Sequence, residues 1–253
     1  MFYRTGTLLF ALALTCGCSK SSLLSQARDA DRNSGVEPNL VPNANFVSDT
    51  NSIQDSSQDA VDAQAEPMAG WRITTYYTVI ESYFSGRPQQ VKGCLKIDCS
   101  AAGDPNNVLA TLPSDFVATV ITEGNGKMTS GANAGRYLNW SGSMPGSGFW
   151  LDSAARNAQG TALVAFESAA AHPSVSFGTK FKVLQCGVDS ENAEQMNDAA
   201  CAKLKAGNWV VVDRFEANTK KNHIDLYIGE QDRADMENSV LTVDQVNVVT
   251  TLK

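Results

Sequence analysis

The residues best suited to chemistry lie in the last third of the chain. Trp209-Val210-Val211-Val212-Asp213 is an apolar run that ends in a carboxylate, and a second carboxylate follows in Asn222-His223-Ile224-Asp225-Leu226-Tyr227-Ile228-Gly229. Alternation along a strand sends Ile224, Leu226 and Ile228 to one face and His223, Asp225 and Tyr227 to the other. The apolar set builds core. An imidazole, a carboxylate and a phenol then share one row, roughly 6–7 Å between alternate residues. A groove wall and a solvated strand face both fit this pattern. Tyr137, Trp140, Phe149 and Trp150 sit in a Gly/Ser-rich stretch, where loop aromatics either stack on sugar rings or anchor the loop to a core. His172, His223 and Asp225 are the residues that could hold a metal, but the chain has only two histidines and no third-ligand motif, so neither metal nor cofactor is expected. Ser141 and Ser143 lack a nucleophile-elbow context, and no phosphate loop or dinucleotide fingerprint is present.

These residues need a scaffold of strands. Runs rich in β-branched and aromatic residues occur at Trp71–Val79, Phe116–Thr122, Ala162–Phe166, Lys180–Leu184, Trp209–Val212, His223–Ile228 and Val246–Leu252. Turn-forming stretches such as Glu123-Gly124-Asn125-Gly126 and Ser143 to Gly148 separate them. A mainly β domain follows, most economically a small closed barrel, since closure removes sticky edges. One helix is expected, over Glu191–Lys205, with Ala193, Met196, Ala200 and Leu204 at helical spacing and Gly207 as its stop.

Composition sets the compartment. The 253 residues are 43% hydrophobic and 19% charged, which permits a core, and the net charge of −7 offers no footprint for nucleic acid. Arg4 and the apolar run Thr7–Leu14 precede Thr15-Cys16-Gly17-Cys18. Eight apolar residues are too few to span a bilayer, which takes about 20, so residues 1–17 read as a secretory signal. Gly17-Cys18 resembles the lipobox of bacterial lipoproteins, which implies a lipid on Cys18. Ser19 following it implies an outer-membrane address facing the periplasm. Residues 18–66 are polar and acidic and read as a flexible tether; residues 67–253 read as one folded domain. Four cysteines remain in an exported chain, and short loop closure favours Cys94–Cys99 and Cys186–Cys201 as disulfides.

Phe177-Gly178-Thr179-Lys180-Phe181-Lys182-Val183, Val211-Val212-Asp213 and Lys221-Asn222-His223-Ile224-Asp225-Leu226-Tyr227-Ile228-Gly229 together resemble the three-aspartate domain of MltA-type lytic transglycosylases and, more loosely, of RlpA- and expansin-like proteins. Thr74-Thr75-Tyr76-Tyr77-Thr78 is a weaker echo. The resemblance implies a six-stranded double-psi β-barrel with loop insertions and a polysaccharide groove. It also implies that Asp225 is the single catalytic acid, with Asp213 as the neighbour that raises its pKa. His223, Tyr227, His172, Trp140 and Trp150 are then expected to contact substrate; His172 stands where the family has its first aspartate. The implied activity is cleavage of peptidoglycan glycan strands to 1,6-anhydro products by a monomeric lipoprotein. A non-catalytic wall-binding module and an envelope protein-interaction lipoprotein are the alternatives.

Overall fold

The computed structural model describes residues 66–99, 104–214 and 220–252. The segments read as a signal sequence (1–17), a lipidated Cys18 and a tether (18–66) lie, apart from Glu66, outside the described residues. In chain order the elements are β1 (Met68–Ile80), β2 (Pro88–Gly93), β3 (Asn107–Pro113), α1 (Ser114–Glu123), β4 (Asn125–Lys127), β5 (Tyr137–Trp140) and β6 (Phe149–Asp152). They continue with β7 (Ser168–Ala171), β8 (Lys180–Phe181), β9 (Val183–Gln185), β10 (Val188–Asp189), α2 (Asp198–Ala206), β11 (Trp209–Arg214), β12 (His223–Glu230) and β13 (Asp244–Thr250).

The fold is mainly β. Eleven strands form one mixed sheet in the order β6-β5-β4-β1-β12-β7-β11-β8, with β13 pairing to β1, β9 and β10, while β2 and β3 form a separate hairpin. β1 is parallel to β12 and to β4, and β7 is parallel to β11; β12 runs antiparallel to β7. Among the described residues the ladders do not close into a barrel, and the strands number more than the six expected. Lys182 is the break: Lys180–Phe181 pair with β11, and Val183–Gln185 pair with β13. No described helix is long and apolar enough to cross a membrane.

Two helices stand where one was expected. Phe116–Thr122 is helix, not strand. Its apolar residues Phe116, Val117 and Val120 fall on one buried face, at spacings of one and four. The Asp115 carboxylate accepts the amides of Ser85, Gly86 and Phe116, and Thr119 donates its hydroxyl to the Asp115 carbonyl one turn back in the helix. The second helix starts at Asp198 rather than near Glu191, because Asn197 caps it by accepting from the amides of Ala199 and Ala200. Ala162–Phe166 is a loop in which Phe166 takes φ 60, and the strand begins only at Ser168.

Both disulfides form as the cysteine spacing suggested: Cys94–Cys99, and Cys186–Cys201, which ties α2 to the segment after β9. Ile73, Phe116, Leu138, Trp209, Ile224 and Leu226 are fully buried, so the core fills the space between the sheet, α1 and the β2–β3 hairpin.

Candidate active site

The sheet register builds the site. Thr74 of β1 pairs with Asp225 of β12; Asp225 pairs with Ala170 of β7, and Ala170 pairs with Asp213 of β11. Directly paired residues project from the same face of a sheet. The two aspartates therefore flank one alanine, with Cα atoms about 10 Å apart across two strand spacings. The small Ala170 side chain leaves open the space between the carboxyls. That space belongs to a cavity of about 530 Å³, lined by Asp225, Asp213, Ala170 and Tyr76 together with Glu123, Asn125, Trp140 and Arg156 among others.

Asp225 is half-buried. Burial lifts its carboxyl to about 7, the negative charge of Asp213 adds to the lift, and the hydrogen bond from Thr74 opposes it. Thr74 Oγ1 donates to Asp225 Oδ1 at 2.9 Å. A hydroxyl has one proton to give, so the 2.8 Å contact between Thr74 Oγ1 and His223 Nε2 has the imidazole donating. The result is a chain from His223 through Thr74 to Asp225. Burial, helped by the positive charge of Arg72, lowers His223 to about 4 and keeps the ring neutral. Arg72 is itself held by Asp244 of β13, through its Nε at 2.7 Å. Asp213 is lifted to about 6 by burial, against a 2.8 Å bond from the Arg214 amide.

The other expected contacts divide. Trp140 lines the cavity, its indole Nε1 donating to the Ser147 carbonyl at 3.1 Å. Trp150 does not: it is fully buried in β6, where the flanking Phe149 and Leu151 pair with Cys94. Tyr227 is buried behind the cavity, with its hydroxyl 2.6 Å from Thr78 Oγ1 and its ring 5.3 Å from that of Tyr76. His172 is turned away, its Nδ1 bonded within its own turn to Ser174.

Glu123, Tyr76 and Arg214 are among the cavity residues that the sequence pattern does not single out. Glu123 was assigned to a turn, yet it ends α1 with its carboxyl in the cavity, lifted by burial to about 7. Tyr76 lies in the row after Thr74. Arg214 stacks its guanidinium on Phe177, 3.9 Å from the ring centre, and donates to the Val175 carbonyl at 2.8 Å. The available signal was positional: a carboxylate directly before a helix-ending glycine, and a residue two positions from Thr74 on the same face. Among the described residues no group of three His, Cys, Asp or Glu side chains is arranged to hold a metal ion. The arrangement suits proton transfer, since burial holds the Asp225 and Glu123 carboxyls near 7, where they exchange protons around neutral pH.

No protein-family model matches the chain, and no curated protein matches it. Among solved structures it is similar to Escherichia coli MltA with bound chitohexaose, at 12% identity and a TM-score of 0.46 over 73% of this chain and 72% of that one. It is also similar to a membrane-bound lytic murein transglycosylase from Agrobacterium tumefaciens, at 10% identity and a TM-score of 0.43 over 73% and 75% of the two chains.

Proposed function

We propose that this protein cleaves glycosidic bonds in peptidoglycan in the manner of a lytic transglycosylase, with Asp225 as the general acid. One observation carries the reading: a carboxyl whose pKa is raised to about 7 stands in an open cavity beside a second aspartate across one alanine. Cleavage of a glycosidic bond requires a proton on the leaving oxygen, and a carboxyl supplies it only if its surroundings keep it neutral. Asp213 assists through like-charge repulsion. Thr74 and His223 orient the acid. The substrate's own 6-hydroxyl then attacks the anomeric carbon, giving a 1,6-anhydro end. Trp140 is the aromatic of the cavity wall suited to stacking on a sugar.

The barrel expectation is supported by the pairing circuit β1–β12–β7–β11, continued by the segment Lys180–Gln185 to β13 and back to β1. That circuit passes through six positions when β8 and β9 are taken as one strand. In the same reading Cys18 carries a lipid, residues 18–66 tether the domain 67–253 to the outer membrane, and the domain works on the wall from the periplasm. Incubating the chain with purified peptidoglycan tests the activity. Mass spectrometry is expected to find 1,6-anhydro-muropeptides; glycan that co-sediments with the protein but stays intact makes it a wall binder instead.

A further inference from the structure

Arg156 and Arg214 both line the cavity, and they differ in what holds them. Arg156 is committed: its Nε lies 2.8 Å from Asp152, and its Nη1 donates to the Gly160 carbonyl at 2.9 Å. Arg214 forms no ion pair with a carboxylate among the described residues. The neighbouring Asp213 carboxylate accepts the Arg214 amide instead.

What holds the Arg214 side chain is neutral. Its guanidinium carbon lies 3.9 Å from the centre of the Phe177 ring, and Nη1 donates to the Val175 carbonyl at 2.8 Å, with the His172 carbonyl at 3.5 Å. These partners belong to the turn between β7 and β8. The turn is clamped to β11: the Gly178 amide donates to the Val211 carbonyl at 2.8 Å, and the Val211 amide to the Thr179 carbonyl at 3.0 Å. A long side chain ordinarily loses rotamer freedom when it grips a ligand, whereas here the fold has already removed that freedom. Nε and Nη2 have no hydrogen-bond partner among the described residues. That pair of donors forms the edge with which a guanidinium grips a carboxylate by two parallel bonds.

A second cavity adjoins this cation. Its volume is about 230 Å³, and its lining is Gln159, Thr161, Phe177, Gly178, Val211 and Val212, with no charged residue. Gln159 lines both cavities, and the contact of Arg214 with Phe177 joins a residue of the larger to a residue of the smaller. Phe177 is 46% exposed, an aromatic face left open beside an unpaired cation. A neutral sugar ring has no use for that cation. Peptidoglycan carries more than sugar: its muramic acid residues bear, through a lactyl ether, a short peptide that begins with a small apolar side chain and has free carboxylates further along.

We propose that the junction of Arg214 and Phe177 binds this stem peptide, with a stem carboxylate on the Nε–Nη2 edge of Arg214 and the uncharged start of the stem along Phe177 in the smaller cavity; this rests on the reading of peptidoglycan as substrate. The protein then prefers stem-bearing glycan to glycan whose carboxylates are neutral. Its net charge of −7 alone would give the opposite preference, so the sign of the effect separates the site from general attraction.

The test is co-sedimentation of the full-length chain with purified peptidoglycan, either native or with its stem carboxylates converted to amides by carbodiimide and methylamine. For the parent chain, amidation is expected to weaken binding by roughly 10-fold. Arg214→Gln is expected to bind native peptidoglycan as weakly as the parent binds the amidated form and to be indifferent to amidation, because each change removes one half of the same pair. Arg214→Lys, which keeps the charge without the fork, is expected to recover only part of the loss. A parent chain that binds both forms alike overturns the proposal whether or not any variant folds. So does an Arg214→Gln chain, folded by circular dichroism, that still distinguishes the two forms as the parent does. Neither result touches the cleavage reading, which depends on 1,6-anhydro product from the parent chain; a parent chain that binds neither form overturns the stem site and peptidoglycan as substrate together.

Discussion

The strand-borne carboxyls of the cavity and the helix-borne one are held by different means. On the sheet side, position comes from ladder register: Thr74, Asp225, Ala170 and Asp213 occupy one row across four strands. A one-residue slip in any strand would turn its member of the row to the opposite face. Glu123 instead owes its place to a helix end, an αL glycine and the packing of Phe116 and Val120 on Gly126. The sheet wall is specified by many shared hydrogen bonds, the helix wall by a few apolar contacts. Damage to the first should therefore abolish chemistry, and damage to the second should loosen the fold around it.

The largest effect is expected at Asp225. Asp225→Asn keeps the shape and the Thr74 bond but removes the proton, and cleavage is expected to fall by roughly 100-fold or more while glycan still co-sediments. Unaltered turnover would falsify the acid assignment. Phe116→Ala probes the other wall. Emptying this fully buried site costs about 3–5 kcal/mol, a drop of roughly 10 °C in melting temperature, with the Cys186–Cys201 region, which lies apart from α1, unaffected in redox mapping. A melting temperature within about 2 °C of the parent would show that α1 does not depend on this contact.

Ionisation gives the third and smallest effect. Asp225, Asp213 and Glu123 are all raised on folding, so the stability each contributes is complete below its unfolded pKa and is lost as pH climbs through about 6 to 7. His223 works in the opposite sense: its folded pKa of about 4 removes stability as pH falls below its ordinary range. The melting temperature is therefore expected to decline between weakly acidic and weakly alkaline buffer. Asp213→Asn is expected to flatten that decline and, by removing a like charge, to move the alkaline limb of any cleavage profile to lower pH. An unchanged slope and limb would show the two aspartates to be uncoupled.

How much of this was legible depended on which residues each element used. β12 announces itself by clean alternation, and its core face of Ile224, Leu226 and Ile228 is buried as read. β11 follows the apolar run Trp209–Val212 and carries Asp213 one residue before its end at Arg214. Cysteine spacing gave the pairing of both disulfides. β7 was missed because three alanines have low strand propensity; what holds them there is burial between β12 and β11 and the need for a small residue between two carboxyls. α1 was misread because its β-branched residues look like strand until Phe116, Val117 and Val120 are counted at helical spacing. Trp150 and His172 show the other gap: residue type suggests a sugar contact, but only the fold decides which way a side chain faces.

Over its first part β1 lies between β12 and β13, so much of the earliest described strand finds its neighbours among the latest. The contact between Thr74 and His223 joins residues 149 positions apart. Such topology folds slowly, because distant segments must meet before any pairing is rewarded. It also couples the cavity to completeness: unfinished or clipped copies lacking β12 have neither Asp225 nor the strand that joins β1 to β7.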